Sequence, residues 1–450
     1  MLNFQLSQQQ QQVQQKAREF AVNRVLPVAA YYDQRDETPV DILREAFDAG
    51  ISTGDIPEAY GGMGQGMVEG CLVTEEIAAA CPGIATSLFD NSLGLEPLIL
   101  CGNEEAKKKY LPAFTQSFNL ISFATSEPTM GSDVSGIRCL AKEDGDDYIL
   151  NGTKYWVTNG GIADYFTIFA TVDPEKKHEG ICAFIVEKQF EGVQTGLAIP
   201  KLGQRNSNTA AVHFSNVRVP KQNMLAPPGE GFGLAMRTFS RTRPSIGSFA
   251  VGAARSAMEF AIDYAKKRRA FGSKLANFQA IQFKIAEMYQ KIEASRLLVL
   301  KAAWEADNGM DPTISASVAK FYATESAVQV ASEALQIFGG YGYTRFFPVE
   351  KLLRDVRVYP IYEGTSEIQR MIVAGHALNT YEPVMPPLDN LPLHRDRHPD
   401  DAGIKGQPET NAWRCRMCGH VHYGQEPPEQ CPYCFFPASA FVQVAGDNAQ

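Results

Sequence analysis

Ile361-Tyr362-Glu363-Gly364-Thr365-Ser366-Glu367-Ile368-Gln369-Arg370 is the stretch around which the chain is organised. It places one carboxylate, Glu363, between an apolar run from Val358 to Tyr362 and a glycine–threonine turn. The residues that follow, Ser366 to His376, have the pattern of a helix. An acid among apolar neighbours loses hydration, so its pKa rises and its carboxylate becomes a stronger base. Gly364 permits unusual backbone angles and leaves room for a flat ligand. Taken alone, the stretch also reads as an ordinary helix start in which Glu363 or Thr365 is only a cap. The rest of the chain decides between the two readings.

Working outward, 450 residues are too many for one ordinary core, so several domains are expected. A hydrophobic content of 44% with 21% charged residues fits a globular protein. A net charge of −9 argues against nucleic acid as the partner. No apolar run approaches the length of a membrane span. The glutamine-rich beginning has neither an apolar signal core nor an arginine-rich transit pattern, so the expected location is cytoplasmic.

Residues 1–120 read as a helical domain, with helices over Gln8 to Val25, Pro39 to Ala49 and Met67 to Ala80. Residues 121–230 carry β-rich runs punctuated by Asn-Gly, Gly-Gly and Asp-Gly, which predicts a small antiparallel barrel or sandwich. Residues 231–378 return to long, alanine-rich amphipathic helices joined by short loops, the pattern of a four-helix bundle. A proline- and charge-rich linker follows over 379–411, then a small module over 412–446. The fold class is thus multidomain α+β, ordered helical, β, helical, with a small metal-bound tail.

The tail holds two C-x-x-C knuckles, Cys415/Cys418 and Cys431/Cys434. Such a pair supplies four thiolates in a tetrahedron, and so short a module needs a metal to fold. Zinc and iron both accept this ligand set, and the spacing does not choose between them. His420 and His422 are left out because four cysteines fill the site. Cys71, Cys81, Cys101, Cys139 and Cys182 are scattered singly, as reduced buried thiols are. The run Trp413 to Gly424, with Pro427 to Cys434, resembles a rubredoxin domain of the rubrerythrin type. That resemblance implies one redox-active iron. Phe435 departs from it, because glycine often follows the fourth cysteine in rubredoxins.

Four further segments are each ambiguous alone. Phe123 to Val134 combines small residues, hydroxyls and free backbone donors suited to a pyrophosphate or a ring edge, or to an ordinary polar loop. Tyr155 to Gly161 adds Trp156, an aromatic that by itself reads as core. Arg268 to Gly272 could complement a helix dipole, and Gln336 to Gly342 could be a glycine cap.

Together, and in this order, these segments and the Tyr362 to Arg370 stretch resemble the acyl-CoA dehydrogenase family over about residues 5–378, most closely its medium- and short-chain members. The resemblance implies a homotetramer with FAD and an acyl-CoA substrate, working in fatty acid metabolism. It implies that Phe123, Thr125, Ser126, Gly131, Ser132, Trp156 and Thr158 contact the flavin side of FAD, and that Thr365 and Glu367 border it. Arg268, Phe271, Gln279, Gln336, Gly339 and Gly340 would hold the phosphates and adenine of a neighbouring subunit's cofactor. Ser132, Ser240, Arg243 and Gly364 would serve the thioester substrate, although the family commonly has aspartate where Ser240 stands.

On the same resemblance Glu363 is the catalytic base. It takes the proton α to the thioester carbonyl while the β hydrogen leaves as hydride to flavin N5. Electrons then pass to electron-transferring flavoprotein or another redox partner, and the iron of the tail could relay them. About thirty linker residues give a coil reach on the order of 30 Å, enough to dock near a flavin. Leu88 to Gly94 falls where the family's acyl pocket is floored. There Phe89 could shorten the cavity and Asp90 could meet a polar or ring substrate, or both could be plain structure. Two rivals remain open: the reverse reaction, an enoyl-CoA reductase, and a non-catalytic electron-carrier or interaction protein with a zinc-binding tail.

Overall fold

The computed structural model describes residues 5–385 and 412–444. They fall in two units, one ending at Thr380 and one beginning at Tyr381. From residue 386 on, the expected linker lies outside the described residues, as do residues 445–446 of the expected tail module.

The glutamine-rich start is a helix, Gln8–Phe20. Ser7 caps it: its hydroxyl accepts from Gln10 N–H at 3.1 Å, and the Gln10 side chain accepts from Ser7 N–H at 3.0 Å. The chain runs on through a π turn, Ala21–Val25, into Leu26–Arg35. Two helices, Met67–Ala80 and Pro82–Cys101, are buried along most of their length. The second is not evident from sequence pattern, because Gly83, Gly94 and Pro97 interrupt it; surrounding packing outweighs that poor propensity.

Buried acids bind this helical layer to the helices at the end of the chain. Glu76 pairs with Arg18 and with Arg255, at 2.8 and 2.7 Å. Glu75 pairs with Arg296 at 2.9 Å. Gly252 lets two helices touch there, since a Cβ on it would lie 2.2 Å from the Glu75 carbonyl oxygen.

The middle sheet runs in the order Val193–Thr195, Thr209–Pro220, Asp147–Thr158, Leu140–Asp144, Tyr165–Thr171, Ile181–Glu187, Met224–Ala226. Most pairs are antiparallel, as the turn signals predict. The exceptions are Ile121–Ala124, parallel to Tyr165–Thr171 with Ile121 opposite Tyr165, and a parallel pairing of Leu140 with Thr171. The first strand arrives from the helical layer and not through a hairpin, so no tight turn imposes the antiparallel direction. Asn91 on the Pro82–Cys101 helix accepts its Ile121 N–H at 2.9 Å.

The last layer holds Gly231–Lys267, Gln279–Asp307, Thr313–Phe338, Val349–Val356 and Ser366–Asn379. Small buried residues, Ala250, Ala253, Ala257 and Ala261 on the first and Ala316, Ala319, Ala323 and Ala327 on the third, allow those helices to approach closely. The tail is a three-stranded sheet with Ala412–Cys415 between Val421–Tyr423 and Phe441–Val444. Its buried core is small: Cys415, Cys431 and Phe441.

Candidate active site and metal centre

Glu363 sits on a turn that three helices hold from different sides. Its φ is 55°, in the left-handed region, and Gly364 follows at 84°. The positive angle at Gly364 favours glycine, and a Cβ there would lie 2.6 Å from Gln369 Nε2 and displace that amide. Gln369, fully buried, donates to the Gly364 carbonyl at 3.0 Å. Lys320, also fully buried, donates to the same oxygen at 2.7 Å. Arg243 Nε donates to the Glu363 carbonyl at 3.4 Å. The Thr365 hydroxyl caps the Ser366–Asn379 helix by accepting from Ile368 N–H. Among the described residues, no protein acceptor takes the Glu363 N–H.

The carboxylate itself faces a cavity of about 170 Å³ lined by Thr158, Thr242, Phe249 and Tyr362, among others. Thr242 Oγ1 donates to Glu363 Oε2 at 2.9 Å. Loss of hydration raises the Glu363 carboxyl to about 7, although the Thr242 hydrogen bond and the charges of Arg243 and Lys320 favour its ionised form. Burial pushes Lys320 down to about 7, against the pull of Glu363. A local carboxylate of this kind is poised to accept a proton near neutral pH.

The Phe123 to Ser132 segment leaves the first strand beside this site. Phe123 is buried between Phe169 and Phe239, with ring centroids 5.1 and 5.4 Å away. A buried ion pair, Lys154 with Glu127 at 2.7 Å, anchors the loop. Glu127 also accepts the Arg138 and Cys139 N–H groups, and Lys154 donates to the Thr125 carbonyl at 3.0 Å. The Thr125 hydroxyl is buried without a hydrogen-bond partner, and the Cβ side of Gly131 is open. Leaving such a hydroxyl unpaired costs about 1–3 kcal/mol, so the position suits a polar ligand atom. Ser126 is half-buried, and Gly131 and Ser132 are exposed.

Trp156 is exposed, not core. Its φ of 62° falls at a break in register between Lys154 and Val157, which takes its indole out of the strand's alternation. Tyr155 packs edge-on against it at 4.9 Å.

The other expected cofactor residues form a separate group. Arg268, Gly339 and Gly340 line an open groove with Tyr264 and Tyr341. Phe271, 97% exposed with φ 50°, and Gln279 and Gln336 are exposed too. Glu363 does not line that groove. Ser240 and Arg243 are buried on the Gly231–Lys267 helix, where Ser240 Oγ accepts from Thr313 at 3.1 Å. Glu367 is exposed in the first turn of its helix. Sequence reasoning gave no role to Thr242, Lys320 or Gln369. Only Lys320 left a trace, as a lysine in register with Ala316, Ala323 and Ala327 on a buried stripe.

In the tail, the four Sγ atoms lie within 4.8 Å of one another. Cys415 and Cys434 are 3.6 Å apart and Cys418 and Cys431 3.5 Å. Thiolates about 2.3 Å from one tetrahedral ion stand about 3.8 Å apart, so the set fits a single metal. Each knuckle closes with the same hydrogen bond, Gly419 N–H to the Cys415 carbonyl at 2.9 Å and Phe435 N–H to the Cys431 carbonyl at 3.0 Å. Both closing residues are left-handed, with φ 79° and 60°.

Comparison with known proteins finds matches over most of the described residues. Family models for the N-terminal, middle and C-terminal domains of acyl-CoA dehydrogenase match residues 7–117, 122–217 and 229–378. A model of the rubrerythrin rubredoxin-like domain matches residues 413–442. A probable acyl-CoA dehydrogenase, fadE25 of Mycobacterium leprae, is 41% identical over 373 residues, which are 82% of this chain and 96% of that protein. The structure of butyryl-CoA dehydrogenase from Megasphaera elsdenii is 37% identical with a TM-score of 0.82, covering 84% of this chain and 100% of that one. A glutaryl-coenzyme A dehydrogenase–glutaryl-CoA complex is 34% identical with a TM-score of 0.81, covering 84% and 98%.

Proposed function

We propose a mechanism from one premise: this chain belongs to the acyl-CoA dehydrogenase family, is an oxidoreductase of that kind, and carries a C-terminal rubredoxin-like domain. In our reading it oxidises the Cα–Cβ bond of an acyl-CoA thioester, with Glu363 as the base. The observation that carries the reading is the Glu363 carboxylate, lifted to about 7 by lost hydration and held by Thr242 at the wall of a cavity.

Glu363 takes the α-proton onto its carboxylate. Thr242 orients that carboxylate and moderates its basicity, while Lys320, Gln369 and Arg243 fix the backbone beneath it. The free Glu363 N–H is a donor for the thioester oxygen as negative charge gathers there. Ser132, Ser240, Arg243 and Gly364 make up the proposed substrate set. Phe123, Thr125, Ser126, Gly131, Ser132, Trp156, Thr158, Thr365 and Glu367 would hold the flavin end of FAD, and the unpartnered Thr125 hydroxyl fits that role. Arg268, Phe271, Gln279, Gln336, Gly339 and Gly340 would hold the phosphate and adenine end for a neighbouring subunit in a homotetramer. When bound, FAD supplies the hydride acceptor.

Cys415, Cys418, Cys431 and Cys434 would hold one iron, whose chemistry there is one-electron exchange. In this reading the tail relays electrons towards electron-transferring flavoprotein or a similar acceptor. Anaerobic addition of butanoyl-CoA to the purified, FAD-loaded protein should bleach its yellow colour. A panel of saturated acyl-CoAs that leaves the flavin oxidised would refute the dehydrogenase reading. Metal analysis of the isolated protein tests the relay, and stoichiometric zinc in place of iron removes it.

A further inference from the structure

The cavity that holds Glu363 is lined by three further acids, Asp55, Asp90 and Glu96. Asp90, on the Pro82–Cys101 helix, is 6% exposed, lines the same cavity, and has an Oδ2 with no hydrogen-bond partner. Several other buried acids have cations: Glu127 has Lys154, Glu76 has Arg18 and Arg255, and Asp355 has Lys351. Even within the cavity wall Glu96 is paired, with Arg241. Asp90 is not so matched. Thr86, on the same helix and the same wall, also has a buried hydroxyl without a partner.

Lost hydration and the nearby Glu363 both drive the Asp90 carboxyl well above the usual range, with only the Ser122 hydroxyl acting against them. Its charged form is thereby disfavoured, and a protonated carboxyl has one O–H to donate and oxygens to accept. A plain alkyl chain in the cavity would strip away any water and satisfy neither. Phe89 and Phe249, whose rings lie 6.1 Å apart, belong to the apolar part of a wall that also carries Asp55, Ser92, Glu96, Arg241 and Ser245. The cavity thus has a mixed wall in which Thr86, Asp90 and Tyr362 present buried polar atoms without a partner.

We propose that Asp90 determines substrate specificity by selecting acyl thioesters that carry a hydroxyl or another neutral hydrogen-bonding group on the acyl chain. The proposal rests on the acyl-CoA reading above and names its substrate class. A site whose buried polar group pairs with a substrate hydroxyl discriminates strongly against the analogue that lacks it.

The test uses S-alkyl-CoA thioethers, which have no thioester carbonyl and cannot react. Their binding to the full-length FAD-loaded protein is measured by calorimetry. Plain butyl to hexyl thioethers are compared with analogues carrying one hydroxyl at successive carbons. At least one hydroxylated analogue should bind the wild type about ten-fold or more tightly than its plain counterpart. Asp90→Leu should abolish that preference. The isosteric Asp90→Asn keeps donor and acceptor capacity and should retain part of it, whether or not the leucine variant folds. Equal or weaker binding of every hydroxylated analogue by the wild type overturns the proposal, as does a preference that survives in Asp90→Leu. If butanoyl-CoA still bleaches the flavin, only the Asp90 assignment has failed. If no thioether binds and no acyl-CoA bleaches it, the acyl-CoA reading has failed as well.

Discussion

Glu363 and Phe435 are both side-chain-bearing residues held in the left-handed region beside reactive atoms, at φ 55° and 60°. Their surroundings differ. Under Glu363, side chains from three helices converge on two carbonyl oxygens, and a large continuous core lies behind them. Under Phe435 there is a single backbone bond to Cys431, a Gln430 side chain donating to the Phe435 carbonyl at 2.7 Å, and a core of three buried residues. In the first region packing alone can hold a costly conformation. In the second, four thiolates must do so by sharing an ion.

The contrast predicts that damage at Glu363 affects chemistry and leaves the fold intact. Glu363→Gln should lower the rate of flavin reduction by an acyl-CoA by on the order of 10²–10⁴, the usual share of a positioned base, measured by anaerobic stopped flow. The same variant should raise the melting temperature at pH 8. The folded-state pKa of Glu363 is raised to about 7, so its favourable contribution is present below the ordinary glutamate range and is lost as pH rises through 7. The gain from glutamine should accordingly shrink as pH falls towards 4.5. Metal removal should have the reverse signature. Stripping the tail with a chelator should abolish its cooperative unfolding transition and leave the melting of residues 5–380 unchanged. A tail that keeps its transition without metal would erase the distinction between the two regions.

A smaller effect is expected at Thr242. Its hydroxyl donates to the carboxylate and so favours the charged form. Thr242→Val removes that donor, so the Glu363 pKa rises and the acid limb of kcat/KM against pH moves to higher pH. At pH 6 the variant should lose more activity than at pH 9. An equal loss at both would mean that Thr242 acts only through packing.

The two regions also differed in how far they could be read from sequence. The cysteine spacing contains its own geometry, because ligands separated by two intervening residues on a tight turn point at one centre. The turn at Glu363 was recognisable, but its supports were not. Thr242 and Lys320 meet it only after helices far apart in sequence have packed, and Gln369 reaches back to it from the helix that follows. Lys320 alone broke a pattern visible in one dimension, a charge among buried alanines. The Pro82–Cys101 helix escaped notice because local propensity opposed it, and the parallel strand Ile121–Ala124 because its partner is set by where the chain enters the sheet. Trp156, taken by itself, reads as core for a related reason, since the break in register that turns it outward is not visible in the sequence.

The smallest effect concerns the knuckles themselves, and it isolates the backbone term in the comparison. Gly419 and Phe435 occupy matching positions with matching hydrogen bonds, yet only one is glycine. A left-handed conformation costs an L-residue about 1–2 kcal/mol. Glycine carries an entropic penalty of about 0.5–1 kcal/mol against that saving. Phe435 is 70% exposed, so its removal gives up little packing. Phe435→Gly should therefore stabilise the metal-loaded tail by about 0.5 kcal/mol, and Gly419→Ala should destabilise it by a similar or larger amount. Chemical denaturation followed by the tail's metal-to-ligand absorption measures both. If both substitutions destabilise, the Phe435 ring contributes more through its contacts than its backbone angle costs, and the tail relies on packing to a degree that its small core does not suggest.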